Sequence, residues 1–253
     1  MNLPTTLAPP APEPELKPFL DHLEDFRAML LRMLAALAVS MIVAFPLTPL
    51  FLRLLRRPLY AVTDHPELFL QTIDVAGAFV AAMRITFWSG LLIASPILVI
   101  ILGWFLVPAL KESEKRLAVI AGAIGLGLFS FGITLGYFYT LPFAMQAMFF
   151  MNTWLGATPI WTLDSYVAFT TRLLIAFGLA FEIPLALLIL GRLGIIGPDT
   201  LRRNRRQAVV ASLLLACVLT PPDVISQLLM SIPMLLLYEA CIWILYLWEK
   251  KTP

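Results

Sequence analysis

The feature that most limits this chain is a series of apolar runs too long for a water-soluble fold to bury. Residues 76–107 carry one charge, Arg84, and the 47 residues from Leu117 to Leu163 carry none. Crossing a hydrocarbon core of ~30 Å takes about 20 mostly apolar residues as helix. Composition agrees with that reading. Hydrophobic residues make up 60% of the chain and charged residues 13%, whereas about a quarter of an ordinary soluble domain is charged. The sequence therefore describes a polytopic, all-α integral membrane protein.

Charges and prolines divide it into six expected spans, near 30–52, 76–107, 117–141, 165–191, 208–220 and 224–247. Residues 1–15 read as a disordered proline-rich tail. A secretory signal opens with a basic segment, and no positive charge precedes Lys17. The membrane domain is expected over 16–248, with a cytoplasmic tail at 249–253.

Lysine and arginine set the orientation, because cytoplasmic loops hold their excess. With six spans, one side receives Lys17, Arg27, Arg32, Lys111, Lys115, Arg116, Arg192, Arg202, Arg203, Arg205, Arg206, Lys250 and Lys251. The other receives only Arg53, Arg56 and Arg57. Splitting 117–163 into two spans would instead leave six cations inside and ten outside. Six spans with both termini cytoplasmic is the expectation, and it makes 143–163 an external loop. Asn152, Gly156 and Pro159 suit a loop, and Phe149, Phe150, Trp154 and Trp161 suit a membrane–water interface.

The break LTPPDVISQ (Leu219 to Gln227) is external on this count. Pro221 and Pro222 stiffen a tight turn, and Asp223 is placed to cap the sixth helix. The fifth helix has 16 residues between Arg206 and Asp223, about 24 Å at ~1.5 Å per residue. That falls short of the hydrocarbon core, so it either thins the bilayer or tilts. A re-entrant hairpin, returning to the same side, fits the length equally well.

Glu182 lies near the middle of the fourth span. An ionisable group there costs roughly 2.5–3.5 kcal/mol to insert, so it should face the protein interior or a wet cavity. Pro184 and Pro96 are expected to kink their helices. Arg172 and Arg84 sit near span ends, from which long cationic side chains reach the interface. Glu239, near the inner end of the sixth span, suits ion pairing as well as function. Gly132 and Gly136 form a GxxxG, a motif for close helix approach.

The segment FLDHLEDFR (Phe19 to Arg27) reads as an amphipathic helix that lies at the interface and leads into the first span. Leu16, Phe19, Leu20, Leu23 and Leu30 share one arc, and Asp21, Asp25 and Arg32 lie opposite. Glu24 and Arg27 are spaced to pair, which leaves Asp25 the less committed carboxylate. After the second span, PALKESEKR adds Glu112 and Glu114 among three cations. The third inner loop, DTLRRNRRQ, is strongly basic, as an orientation signal or an anionic-lipid contact would be.

Taken in order, HLEDFR, PALKESEKR, FEIP and LTPPDVISQ resemble the TatC family, the C subunit of the twin-arginine protein translocase. The likeness runs from about Phe19 to Trp248. It implies a concave bundle of six transmembrane helices, the last two short, in the bacterial inner membrane. It also implies a receptor for signal peptides bearing paired arginines. The implied partners are small single-span subunits of TatA/TatB type and further copies within a larger complex. Folded proteins would be exported at the expense of the proton-motive force. Asp25 and Glu114 fall where the family's arginine-contacting carboxylates lie, with Glu24 beside them. The family usually has Glu where this chain has Asp25. Glu182 and Pro184, with Pro221, Pro222, Asp223 and Gln227, fall in the regions expected to form the groove and the partner contacts. Guanidinium–carboxylate pairing suits the task, because a planar fork distinguishes Arg from Lys.

Two other classes fit less well. A secondary transporter built on Glu182 should show repeated halves with paired broken helices, and 30–141 does not resemble 165–247. An intramembrane hydrolase lacks HExxH or GxSxG, and the two histidines, His22 and His65, lie outside the spans. Cys217 and Cys241 sit singly in apolar runs, so neither a disulfide framework nor a metal site is expected. No enzyme activity, cofactor or nucleic-acid partner is expected.

Overall fold

The computed structural model describes residues 19–109, 112–219 and 224–249. The proline-rich tail, Lys111, Pro221, Pro222, Asp223 and residues 250–253 lie outside them. The described residues are mostly helical, with connecting turns and one short pair of strands. In order, the elements are α1 (Phe19–Arg56), α2 (Pro66–Phe69), β1 (Leu70–Gln71), α3 (Gly77–Leu106), α4 (Glu112–Leu135), α5 (Leu141–Trp154), β2 (Trp161–Thr162), α6 (Leu163–Arg192), α7 (Pro198–Arg203), α8 (Arg205–Leu219) and α9 (Val224–Glu249). A 3₁₀ turn extends α1 over Arg57–Ala61, and a π turn over Gly136–Thr140 joins α4 to α5.

Five helical segments are long and apolar enough to cross a membrane: Leu23–Ala61, Gly77–Leu106, Lys115–Trp154, Leu163–Arg192 and Val224–Trp248. The sixth apolar helix, α8, has 15 residues, about 22 Å. Two expectations change. The interfacial helix expected around Phe19–Arg27 is not a separate element but the start of α1, 38 residues long. Leu23, Phe26, Leu30, Leu31 and Leu34 are all exposed along it, so an apolar surface runs into the span without a break. The external loop expected from residue 143 begins only after Trp154. Pro142 lacks an N–H, but the π turn ahead of it accommodates the loss, and the apolar run continues as helix. Asn152 stays helical, its side-chain amide donating to the Met148 carbonyl at 2.8 Å. Gly156, in the left-handed region at φ +74°, then turns the chain.

Helix directions follow from side-chain contacts. Phe26 stacks on Phe105 with centroids 5.9 Å apart, and Thr48 hydrogen-bonds Thr86 at 2.8 Å, so α1 and α3 are antiparallel. A Cβ at Gly90 would lie 3.1 Å from the Met41 Cα, which fixes how closely they approach. The α4 glycines do the same against α6. A Cβ at Gly132 would lie 2.7 Å from the Phe177 carbonyl oxygen, and one at Gly136 would lie 3.1 Å from the Phe177 ring. The GxxxG is a packing surface, as its spacing predicts. In α6 and α9, Pro184 meets Cys241 and Gly191 meets Leu245, so these two helices run parallel. Gln227 reaches Leu213 and Arg205 reaches Glu239, so α8 and α9 are an antiparallel hairpin.

These directions give the bundle two ends. The start of α1, the α3–α4 connection, α7 and the finish of α9 share the end called proximal here. The distal end is closed by β1 and β2, which pair in parallel through Leu70–Trp161 and Gln71–Thr162. The Phe69 ring meets Trp161 edge-on at 5.1 Å, and the Thr162 hydroxyl caps α6 by accepting from the Ser165 N–H at 3.2 Å. Large apolar side chains such as Ile42, Leu34 and Val218 remain exposed on the flanks. In water they would be an aggregation surface; in a bilayer they meet lipid.

Candidate functional site

At two prolines a carbonyl loses its helical donor and a nearby hydroxyl supplies the missing one. Pro58 cannot donate to the Leu54 carbonyl four residues earlier. The Tyr137 hydroxyl donates to it at 2.7 Å. The Tyr166 hydroxyl donates to the adjacent Leu55 carbonyl. In α3, Pro96 frees the Leu92 carbonyl, and the Ser95 hydroxyl donates to it at 2.8 Å. Tyr137 and Tyr166 thus tie the finish of α1 to α4 and α6.

A cleft of about 320 Å³ opens between α1, α3, α4 and α6 in the distal half of the bundle, walled by Phe51, Ile85, Trp88, Ile133, Tyr137 and Ile175 among others. Glu182 is not on that wall. It lies seven residues beyond Ile175 on α6, two turns towards the proximal end and on the same face. Its carboxylate rests against α4 where Gly125 has no side chain. A Cβ there would lie 3.1 Å from Oε2 and 3.4 Å from Oε1. Glu182 is half-buried, and among the described residues it has no hydrogen bond or ion pair. Pro184, one turn-fraction on, is buried, and its carbonyl accepts from the Cys241 thiol at 3.4 Å.

Glu24 and Asp25 are exposed at the proximal start of α1. The expected Glu24–Arg27 pair is absent: both side chains point to solvent, and no ion pair joins them. Asp25, by contrast, has an interaction of its own. Glu114 is the third residue of α4. The Phe26–Phe105 contact brings the first turns of α1 beside the end of α3, which leads directly into the segment bearing Glu114. The topology expected from the charges already puts these two acidic segments at one end, and the ring contact sets the helices that carry them side by side.

Gln227 serves inside the chain, its amide donating to the Leu213 carbonyl at 3.0 Å and clasping α9 to α8. Glu239 pairs with Arg205 at 2.8 Å. Arg84 does not simply reach for the interface. Its Nη1 lies 3.4 Å from Asp164 Oδ1, a pair that sequence reasoning missed because the partners are 80 positions apart. Nothing among the described residues groups three or more metal-ligating side chains.

Comparison with known proteins places this architecture. The family model described as Sec-independent protein translocase protein (TatC) matches residues 21–233. The chain belongs to the TatC family. It is 34% identical over 241 residues to the Sec-independent protein translocase protein TatC of Campylobacter jejuni, covering 94% of this chain and 95% of that one. The corresponding protein of Escherichia coli K12 is 32% identical over 226 residues, covering 89% and 86%. A crystal structure titled as the twin arginine translocase receptor TatC superposes with a TM-score of 0.74 at 33% identity, covering 89% of this chain and 98% of that one. A second, of the receptor in DDM, gives 0.76 at 32% identity over 88% and 98%. TatC proteins are a transport family rather than an enzyme family, and the chain is a multi-pass membrane subunit of a Sec-independent translocase.

Proposed function

We propose that this TatC-family chain is the receptor for signal peptides with paired arginines, working with single-span subunits of TatA/TatB type and further copies of itself. The observation that carries the reading is the packing of Phe26 on Phe105. It supports a proximal surface on which the exposed Glu24 and Asp25 lie at the same end of the bundle as the segment bearing Glu114. Two separated carboxylates suit two adjacent guanidiniums, each read through a planar fork that lysine cannot match. Exposed pairs are worth only about 0–1 kcal/mol each. Most of the affinity therefore falls to the apolar part of the signal, for which the face of α6 running from Glu182 to the distal cleft is the candidate track.

The proximal end is assigned to the cytoplasm, because it takes most of the lysine and arginine. Both termini then lie inside, with α8 as the fifth crossing and α9 as the sixth. Pro221, Pro222 and Asp223, which lie between those two helices in sequence, are assigned, with Gln227, to the region where partner subunits gather. Transport is assigned to the proton-motive force.

Photocrosslinking from a twin-arginine signal peptide to the full-length chain in membranes tests the receptor reading. Asp25→Ala and Glu114→Gln should each weaken crosslinking several-fold at unchanged protein level. If only Glu24→Ala does so, the arginine is read by the neighbouring carboxylate. If none of the three does, the arginine-reading surface lies elsewhere.

A further inference from the structure

Two arginines share a cavity of about 450 Å³ towards the distal end. Its walls include Arg84 and Trp88 of α3, Thr171, Arg172 and Leu179 of α6, and Val218 of α8. That volume falls within the roughly 300–1,000 Å³ range of small-molecule sites. Asp164 engages one nitrogen of Arg84, Nη1, through its carboxylate at 3.4 Å and its backbone carbonyl at 3.5 Å. Among the described residues, the other Arg84 nitrogens and the whole Arg172 guanidinium have no hydrogen bond or ion pair. Among the described residues, two cations against one carboxylate leave the site a net positive charge.

Depth narrows what can neutralise it. Arg84 is seven residues from the distal start of α3 and Arg172 is nine from that of α6, about 10 Å and 14 Å along the axes. Both helices have 30 residues, about 45 Å, so each overhangs a ~30 Å core at both ends. The arginines therefore lie just inside the hydrocarbon boundary, where an unpaired guanidinium is costly. The third wall ends early. Val218 is the penultimate residue of α8, a helix of only ~22 Å.

We infer that this cavity seats the phosphodiester headgroup of an anionic phospholipid from the distal leaflet, held by Arg84 and Arg172 over the short end of α8. Guanidinium groups bind phosphate oxygens in paired hydrogen bonds and are weakly hydrated enough to do so at a membrane boundary. The apolar side chains of Leu179 and Val218 would receive the glycerol end and the start of the acyl chains. Inorganic phosphate offers the same oxyanion but nothing for those apolar walls. The inference rests on α8 lying in the bilayer beside α9, and it is independent of how signal peptides are read.

Titration of the full-length protein in detergent with phosphatidylglycerol, followed by native mass spectrometry, tests it. Arg172→Gln removes a side chain with no polar contact to the described protein, so folding is not at stake. It should weaken lipid retention by about tenfold, the loss expected for one charge-assisted pairing. Arg84→Gln with Arg172→Gln should weaken it further, and phosphatidylcholine should bind the unaltered chain less tightly than phosphatidylglycerol. Equal retention by Arg172→Gln overturns the inference, as does equal binding of the two lipids. Displacement of the lipid by excess inorganic phosphate alone would overturn it in favour of a free-anion site. Signal-peptide crosslinking at the proximal end should be unchanged in Arg172→Gln, so the two readings fail separately.

Discussion

At the scale of single residues, the bundle is set by small side chains and by donors placed on orphaned carbonyls. Gly132 shows the first. A methyl group there would sit 2.7 Å from the Phe177 carbonyl oxygen, a backbone atom that cannot swing aside. Gly132→Ala should push α4 from α6 and cost about 1–3 kcal/mol, read as a lower thermal-unfolding midpoint in detergent. An unchanged midpoint would mean that the two helices separate without penalty. Tyr137 shows the second. Tyr137→Phe leaves the Leu54 carbonyl, already deprived of a donor by Pro58, without the hydroxyl that now reaches it. The expected cost is about 1 kcal/mol, because the phenol is only partly buried, and the same melting experiment measures it. Neither tyrosine was legible as a structural tie, since each acts on a carbonyl more than 80 positions away.

Among the elements, the α8–α9 hairpin carries the most functional interest. It is clasped at one end by Arg205–Glu239 and towards the other by Gln227 on the Leu213 carbonyl. Asp223, which lies outside the described residues, immediately precedes α9. If its role is capping alone, Asp223→Asn should transport nearly normally, since Asn caps about as well as Asp. The expected outcome is otherwise: a folded, signal-binding complex with impaired transport or partner recruitment, because the charge at the turn is itself used. An export assay on that variant, beside signal crosslinking, checks this. Normal export would return Asp223 to a structural role. Helix limits within this hairpin were legible from TPPD and the arginine cluster, because proline and charge end an apolar run. The continuation of the third span through α5 was not. Its composition suited an interface as well as a helix, and only contacts with the distal cap distinguish them.

For the molecule as a whole, orientation is the property that charge predicts and shape alone does not give. On the proposed orientation, with both ends of the chain cytoplasmic, cysteines placed at Thr158 and after Lys251 should label from opposite faces of the membrane. Labelling from the same face would refute the six-crossing topology and favour a re-entrant hairpin for α8 and α9. The native Cys217, exposed on α8, and Cys241, buried, should first be replaced so that they do not react.

The sequence alone determined that the chain lives in a membrane, where charge and proline break its apolar runs, and which family it resembles. Those properties follow from transfer free energy and local breakers, both of which act within a run of about 20 residues. Tertiary structure alone decided that Glu182 faces the gap left by Gly125 and that Arg84 pairs with Asp164. It also brought the start of α1 against the end of α3. Each of these depends on the relative rotation and depth of helices distant in sequence. That is fixed by glycine contacts and interhelical hydrogen bonds, and an apolar run tolerates almost any rotation until a neighbouring helix packs against it.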